Sequence, residues 1–510
     1  MTNDTPRSSD RLTDALRDSY DALPYDNLPR WTTHPDCLAT AAHLHGLTVP
    51  PVPSARVLEL GCSTGVNLIA LAMALPEGRY TGLDLSATQV GAARALAGAL
   101  GLEQVRFEAA DLRAVSGRLG EFDYILCHGV YSHVPPDVQE AILATCARSL
   151  SPMGVACVSY NTHPGWYLRG MIRDLLRRRV RDLPPGTPQV SAAREFLRLL
   201  AGHASPPGGH YRAVLEHEQR LLVDSTDTYI VHEHLDPVND PLYLTDFVAR
   251  ARRHGLEYVG DAEPEPLPGD LPDELGSVVS GLAEDGLERD QLLDILRGRA
   301  FRSTVLCRAE SKRRPLTAVD AVADLVVRAR AIPESDQPEV QGIRMERFKT
   351  RDERIVETND PLVKALLLAL YRRAPRTVEV PTLVEDVRSL LAGALPEGLR
   401  AGNQASVAEA LLRFHRGQVL RLQTSTVPFA TTAGARPVAS ALARAQAGTG
   451  ATVTTLRHDN LRLDDTERSL LQLLDGTRDR QALLERCPGL NAAQLDVLLQ
   501  RMATHALLRA

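Results

Sequence analysis

"LELGCSTGVN", residues 58–67, ends the short apolar run RVLEL and places Gly61 and Gly65 four positions apart with small residues between them. A strand that enters a glycine-containing turn and then opens a helix presents backbone N–H groups at the carboxyl edge of a parallel sheet. Cofactors bind at that edge in open α/β folds. Both glycines let the backbone approach a ligand closely. The dinucleotide fingerprint G-x-G-x-x-G requires glycine at 61, 63 and 66, whereas the chain has Gly61, Ser63 and Val66. A pyrophosphate cofactor such as NAD is therefore disfavoured. Glu59 adds an acid at the buried end of the strand.

Outward from the loop, short β runs alternate with helices. RVLEL leads to a helix ending at Leu75, RYTGLDL to a helix ending at Leu100, and VRFEAADL is followed by FDYILCHGV, a helix over 137–150, and GVACVSYN. Five apolar strands alternating with helices predict an α/β fold whose parallel sheet is covered on both faces. The stretch from about 166 to 240 is helical and Arg-rich, broken by LPPGTP and ASPPGG, and reads as an insertion. LTDFVARARRHG, LEYVGDAEP and FRSTVLCRAE resume the β/α pattern, so the sheet closes near Glu310. Residues 1–48 form a cap with a frayed start over 1–15, residues 49–310 the sheet domain, 311–345 a linker and 346–510 a C-terminal region. That region has the helix–turn–helix–helix rhythm of winged-helix units, with ARAQAGTGAT as an internal linker and 358–424 and 464–509 as distant repeats.

The 510 residues carry a formal charge of −6, so no overall basic surface points to a nucleic-acid partner. Seven cysteines (Cys37, Cys62, Cys127, Cys146, Cys157, Cys307, Cys487) form no C-x-x-C pair, which disfavours zinc fingers, iron–sulfur clusters and a disulfide framework. No run approaches the ~20 apolar residues of a membrane span, and MTNDTPRSSDRLTD lacks the apolar segment of a secretory signal. A cytoplasmic protein without a membrane partner is expected. Whether it is a monomer or a homodimer stays open.

The second strand ends in GLDLS, placing Asp84 where it can accept from a ribose diol, and the third ends in EAADL, placing Asp111 where it can accept from an adenine amine. Three acids at successive strand ends suit a cofactor with amine, diol and cationic groups but no pyrophosphate. These pieces, followed by FDYILCHGVYSHVP, resemble the class I S-adenosylmethionine-dependent methyltransferases. HGVYSHVPP, SYNTHPGW, YDNLPRWTTHPDCLA and a later stretch similar to the methyltransferase regulatory domain resemble one bacterial family more narrowly. That family includes protein-lysine methyltransferases of rickettsial type. The resemblance covers residues 18–310 well and the tail weakly. It implies a Rossmann-like seven-stranded methyltransferase sheet with a helical insertion, plus a C-terminal, mostly helical, winged-helix-like region. It further implies S-adenosyl-L-methionine as cofactor and a lysine of a protein or peptide as acceptor. The expected cofactor contacts are Tyr25, Glu59, Gly61, Cys62, Gly65, Asn67, Asp84, Leu85, Ala110, Asp111, Leu112, His128 and Gly129. Ser63 departs from the family, which often has a second glycine there; its small side chain should preserve binding.

Methyl transfer is an in-line displacement, so the protein must align acceptor, methyl and leaving sulfur, and an amine acceptor must first lose a proton. Residues after the fourth and fifth strands face that mouth. His128, Tyr131, Tyr160 and Asn161 are the catalytic candidates, and Tyr131, His133, His163 and Trp166 the substrate-side ones. The bland alternatives are loop residues bonded to backbone and a polar pair capping the next helix. Tyr20, Tyr25 and Trp31 are expected either as a lid or as apolar staples of the cap. HEH at 232–234 sets two imidazoles on one face of a strand, but no third ligand is evident, so the reading is a structural strand and no metal. The arginines within 173–181 read as a solvated helix face.

Two other functions compete with protein methylation. One is a small-molecule O- or N-methyltransferase, which predicts a closed pocket of a few hundred Å3; a protein acceptor predicts an open groove from Tyr131 to the insertion. The other is a non-catalytic cofactor-binding regulator whose winged helices bind DNA or a partner. The tail helices DDTERSLLQLLDG and AAQLDVLLQRMA are neutral or acidic, which favours protein contact over DNA.

Overall fold

Seven strands build the central sheet: β1 (Arg56–Leu60), β2 (Arg79–Asp84), β3 (Val105–Ala109), β4 (Phe122–Cys127), β5 (Leu150–Asn161), β6 (Leu256–Asp261) and β7 (Phe301–Arg308). The computed structural model, which describes residues 8–25, 28–115, 117–391 and 404–510, orders them β3-β2-β1-β4-β5-β7-β6. β1 to β5 are parallel, and β7 lies antiparallel between β5 and β6. This is the seven-stranded sheet that the resemblance implies.

Helices α1 (Ser8–Ala22) and α2 (Pro35–Leu44) precede the sheet, and α3 (Val66–Ala74), α4 (Ala87–Ala99), α5 (Leu112–Val115) and α6 (Pro136–Ser149) connect its parallel strands. β1 and β4 are near-continuous apolar runs because helices cover both of their faces. Val57 and Tyr124 pack in the core shared with α2, α3 and α4, while Leu58, Leu60 and Ile125 pack in the opposite core, with α6. Apart from Asn67, α3 is apolar all round, and its Leu68, Ile69 and Leu71 are fully buried. Each such Leu or Ile contributes about 1.5–3 kcal/mol relative to an exposed side chain.

The insertion holds α7 (Gly165–Val180), α8 (Thr187–His203), α9 (His210–Val223) and the one-turn α10 (Asp227–Tyr229), which runs into a π-helical segment, Ile230–Leu235. The HEH residues therefore lie in a π-helix and not in a strand. The wide turn suits the side-chain ties made there: His232 Nδ1 meets Asp236 Oδ2 at 2.7 Å, and its Nε2 meets the Leu23 carbonyl at 2.8 Å. Nor is the arginine run wholly solvated, because buried Arg173 donates to the carbonyls of His234 at 3.0 Å and Asp236 at 2.5 Å. α11 (Leu244–Arg253), α12 (Asp273–Leu282) and α13 (Gly286–Arg297) complete the sheet domain. Fully buried Arg302 of β7 ties the sheet to α13 through Asp294 at 2.6 Å and to β6 through Asp261 at 3.2 Å.

Two spans differ from the expected boundaries at the start of the chain and after the sheet. Residues 1–7 lie outside the described residues, but 8–15 belong to α1, where Thr13 and Leu16 are buried at helical spacing. The presumed linker 311–345 contributes α14 (Ala318–Val322), β8 (Val326–Ala329) and β9 (Ala331–Pro333). Val322, Leu325 and Val327 there are core residues, hidden in the sequence by Asp324 among them and Arg328 after them.

Farther on come β10 (Glu346–Thr350), β11 (Ile355–Thr358), α15 (Pro361–Arg373), β12 (Val378–Glu379), α16 (Val380–Leu391), α17 (Gln404–Arg416) and β13 (Leu420–Gln423). The last unit holds α18 (Ala441–Thr449), β14 (Thr452–Thr454), β15 (Asn460–Arg462), α19 (Asp465–Leu473), α20 (Arg480–Arg486) and α21 (Ala492–Thr504). ARAQAGTGAT is thus mostly helix α18, whose Ala443 and Ala447 are buried. The two units share one topology. β8 pairs antiparallel with β12, after α15, and with β13, after α16 and α17. Likewise Val438 bridges Asp475, after α19, and Ala439 bridges Leu508, after α20 and α21. Part of the first repeat, 392–403, lies outside the described residues. Among the described residues no helix is long and apolar enough to cross a membrane.

Candidate active site

The loop after β1 is held by its neighbour strand. The N–H groups of Gly61 and Cys62 both donate to the Leu83 carbonyl, at 2.8 and 3.0 Å. Ser63 adopts φ 49°, and its N–H donates to Asp84 Oδ2 at 2.8 Å. The left-handed backbone that glycine adopts freely is imposed on Ser63 by this bond. Gly65 caps α3 at φ 70° against the Phe107 ring, where a Cβ would stand 2.4 Å from Cζ. Gly61 and Ser63 therefore line the cavity above the loop, while Cys62 and Gly65 support it from behind.

That cavity is about 370 Å3 in volume and lies over the carboxyl ends of β1 to β5. Tyr25, Glu59, Asn67, Asp84, Leu85, Ala110, Asp111, Leu112, His128 and Gly129 all line it. Glu59 Oε1 accepts from Asn67 Nδ2 at 2.8 Å, and buried Oε2 has no hydrogen-bond partner. Burial, opposed by the Asn67 bond and helped by Asp84, pushes the Glu59 carboxyl up to about 8. Asp84 accepts from Ser63 N–H and, at 2.9 Å, from Ser86 N–H; burial nevertheless raises it from the usual carboxylate range. Asp111 differs, because Arg113 grips it at 2.6 Å and also reaches Asp10 of α1 at 2.8 Å and Asp137 of α6 at 3.0 Å.

α1 roofs the cavity with Thr13, Leu16, Arg17 and Tyr20. It is fastened by Arg113, by Ser19 Oγ donating to Asp236 at 2.8 Å, by a Ser86–Asp21 hydrogen bond, and by Tyr20 stacked on His232 at 4.0 Å. Of the three expected lid aromatics, Tyr20 and Tyr25 are in the roof. Trp31 faces a different cleft and stacks on His34.

At the far end of the cavity are His128, His133, Asn161, Arg169, Tyr229 and Glu233. His133 Nε2 lies 3.5 Å from Glu233 Oε1, and Asn161 Nδ2 donates to Glu233 Oε2 at 3.3 Å. Burial works against ionising Glu233, but His133 and Asn161 outweigh it and hold the carboxyl at about 2. Burial and Arg30 push His128 down to about 3, so its imidazole is neutral, with Nδ1 buried and without a partner. The other candidates lie elsewhere. Tyr131 is fully buried, edge-on to Phe247 at 5.2 Å and to Tyr160 at 6.3 Å, and Tyr160 is stacked on Phe247 with its hydroxyl 2.9 Å from Thr304 Oγ1. Buried Trp166 and the His163 ring, stacked on Tyr167 at 4.0 Å, also lie off the cavity wall. The groove expected to start at Tyr131 does not begin there, because the short 3-10 turn Tyr131–His133 turns that ring into the core.

Three residues at the site carried no readable sequence signal. Glu233 was hidden between two histidines in a segment read as a strand, and Arg113 in an unremarkable short helix. His458, from the turn between β14 and β15, donates from Nε2 to Asn67 Oδ1 at 2.8 Å across 391 positions of sequence.

Glu59 Oε2, Ser63 Oγ, His128 Nδ1 and His133 Nδ1 are buried cavity-wall atoms without partners, and such atoms call for a polar ligand. The wall is acidic, through Glu59, Asp84 and Asp111, where a cofactor amine and diol would lie. The residues therefore fit S-adenosylmethionine. Among the described residues, no group of three or more His, Cys, Asp or Glu is placed to hold a metal ion.

Three family models match: a methyltransferase domain over residues 57–154, a predicted methyltransferase regulatory domain over 226–308, and the PKMT C-terminal winged helix domain over 435–497. The chain is 28% identical to the uncharacterized protein RP789 of Rickettsia prowazekii over 92% of this chain and 85% of that one. It is 32% identical to RP028 of the same organism, over 46% of this chain and 94% of that one. Among solved structures it resembles PKMT2 from Rickettsia typhi in complex with AdoHcy, with 25% identity, a TM-score of 0.84, and coverage of 95% of this chain and 100% of that one. The chain belongs to the class I S-adenosylmethionine-dependent methyltransferases, in the family that joins the methyltransferase sheet to a regulatory domain and a PKMT-type winged helix.

Proposed function

We propose that the protein N-methylates a lysine side chain of a protein or peptide. S-adenosylmethionine, when bound, supplies an electrophilic methyl group on a sulfonium. Glu59 would accept from its amine, Asp84 from its ribose hydroxyls and Asp111 from its adenine amine, while α1 keeps water out. Glu233 carries the choice of acceptor: an ionised carboxylate in the cavity wall beyond the cofactor residues, fixed by His133 and Asn161. It would draw in a cationic ammonium and orient it. Desolvation under the α1 roof would lower the amine pKa against the opposing pull of Glu233, and the acceptor's proton would leave to solvent before the neutral amine attacks the methyl group. Tyr131 and Tyr160 act as positioning residues, buttressing the strand ends through Phe247. Similarity to PKMT2 over nearly the whole chain supports the same acceptor class. The seven cysteines are buried and none is in a disulfide, which suits the reducing cytoplasm.

The test is to incubate the full chain and host lysate with S-adenosylmethionine labelled at the methyl group, then separate protein from small molecules and hydrolyse the protein to amino acids. Label recovered as methyl-lysine is expected. The roofed volume of about 370 Å3 favours a second reading, a small metabolite acceptor, and label confined to the small-molecule fraction would establish that one instead.

A further inference from the structure

A second, larger cleft of about 1450 Å3 lies between the N-terminal cap, the end of β6 and the C-terminal region. Its C-terminal wall carries Arg328 of β8, Arg421 of β13, and Arg457 and Asp459 of the turn between β14 and β15, with exposed Arg351 at the rim. Among the described residues, Asp459 is the carboxylate that the ion pairs place among the first three guanidiniums. It pairs with Arg328 and, at 3.1 Å, with Arg421, whose other face covers the Trp31 ring. Arg457 donates only to neutral carbonyls, those of Pro375 at 3.2 Å and Thr504 at 2.8 Å. Of the acids on the facing wall, Asp261 and Glu265 are matched by Arg299 and Arg302 and Asp290 by Arg289, which leaves Glu263 as the one without a matched guanidinium among the described residues. The wall therefore keeps surplus positive charge.

Its donors are also unsatisfied. Arg328 is only 9% exposed, and its Nε and Nη1 are buried without an acceptor, as is Arg457 Nε. Buried N–H donors left unpaired are costly, and their presence in a cleft wall calls for an acceptor from outside the chain. Arg328 and Arg421 meet on the two oxygens of Asp459, Arg457 stands two residues from it in the same turn, and guanidinium forks match a tetrahedral dianion, whose oxygens accept from several N–H groups at once. We propose that this wall is a binding site for the phosphate group of a small molecule, distinct from the methyl-transfer cavity and set against it. His458 lies between Arg457 and Asp459 in sequence and donates to Asn67, which donates to Glu59. Occupancy of the phosphate site is thereby coupled to the cofactor cavity through two hydrogen bonds.

The test titrates the full chain, in a chloride background of constant ionic strength, with inorganic phosphate and with a ribonucleoside monophosphate, the two arms separating a free ion from an ester. Saturable binding of at least one probe at one site per chain is expected. It should weaken at least tenfold in Arg457→Gln with the melting temperature retained, severalfold in Arg351→Gln, and be partly restored in Arg457→Lys. AdoHcy affinity should change at least twofold when the probe saturates the wild type and not in Arg457→Gln. The absence of saturable binding by either probe, equal affinity in wild type, Arg457→Gln and Arg351→Gln, or tighter competition by an acidic peptide than by either phosphate would each overturn the proposal. An unchanged AdoHcy affinity would overturn the coupling.

Discussion

Gly65 and Gly129 have nearly the same backbone, φ 70° and φ 69°, and opposite surroundings, so alanine at the two positions separates fold from function. A Cβ on Gly65 would meet Phe107 Cζ at 2.4 Å and Ala93 Cβ at 2.9 Å, whereas a Cβ on Gly129, a residue of the cavity wall, meets nothing within 4 Å. Both variants incur the left-handed penalty of an L-residue, about 1–2 kcal/mol. Gly65→Ala adds overpacking of about 1–3 kcal/mol, since neither a ring wedged under the loop nor a helix-borne methyl can give way. At roughly 2–4 °C per kcal/mol for a domain of this size, Gly65→Ala should melt about 2–12 °C below Gly129→Ala in a thermal scan of the full chain. Cofactor affinity should reverse the order among molecules that remain folded. Gly129→Ala intrudes where the cofactor would lie and loses roughly five- to 150-fold, by the same 1–3 kcal/mol applied to binding. Gly65→Ala, measured well below its transition, should bind within a few-fold of wild type. Equal melting temperatures, or a larger binding loss in Gly65→Ala, would refute the placement of the two glycines.

Glu59 predicts a proton signature. Burial raises its folded pKa to about 8 from an ordinary 4.5, so its contribution to stability is full below about 4.5 and is lost as pH rises through about 8. Binding a cationic cofactor amine favours the carboxylate and should expel a proton at pH 7, visible as a dependence of calorimetric enthalpy on buffer ionisation; Glu59→Gln, or a pH well above 8, should abolish it, and no dependence at pH 7 would remove Glu59 from the amine. Asp84→Ala should weaken S-adenosylmethionine binding by roughly 10- to 150-fold, the equivalent of about 1.5–3 kcal/mol for a charged hydrogen bond, and an unchanged affinity would dismiss its role. Glu233→Gln should cut kcat/KM for the acceptor about tenfold or more while cofactor affinity holds within about twofold; parallel losses would mean that it supports the cavity and does not receive the acceptor.

The cofactor half of the site was legible because it is local. Strand, turn and helix follow one another in LELGCSTGVN, and the acids at 59, 84 and 111 fall at or just beyond the carboxyl ends of the first three strands, where ligands bind in open α/β sheets. The far end of the cavity was not, because direction there is set by packing across long stretches of sequence. Tyr131 and Tyr160 sit at the expected strand ends, yet Phe247 of α11 offers both rings a better apolar partner than the cavity does. Glu233 enters the wall only because Ile230–Leu235 winds as a π-helix, a choice fixed by the ties of His232 and Arg173 and absent from local propensity.

The same reasoning decides how the C-terminal region belongs to the enzyme. A tethered module would leave the sheet domain's polar groups satisfied by themselves, and here they are not. Buried Asp36 of α2 accepts from Gln423, the last residue of β13, and from Thr424 and Ser425 after it, at 2.6–3.1 Å. Leu442 of α18 packs in the same core as α3. Asn67, one residue into the helix that the opening loop starts, holds Glu59 with one end of its amide and His458 with the other. Without His458, Asn67 Oδ1 keeps only the Thr33 hydroxyl, at 3.1 Å, and the amide that orients Glu59 is less firmly fixed. The loop that a local reading assigns wholly to the methyltransferase sheet is thus completed by a residue from the far end of the chain.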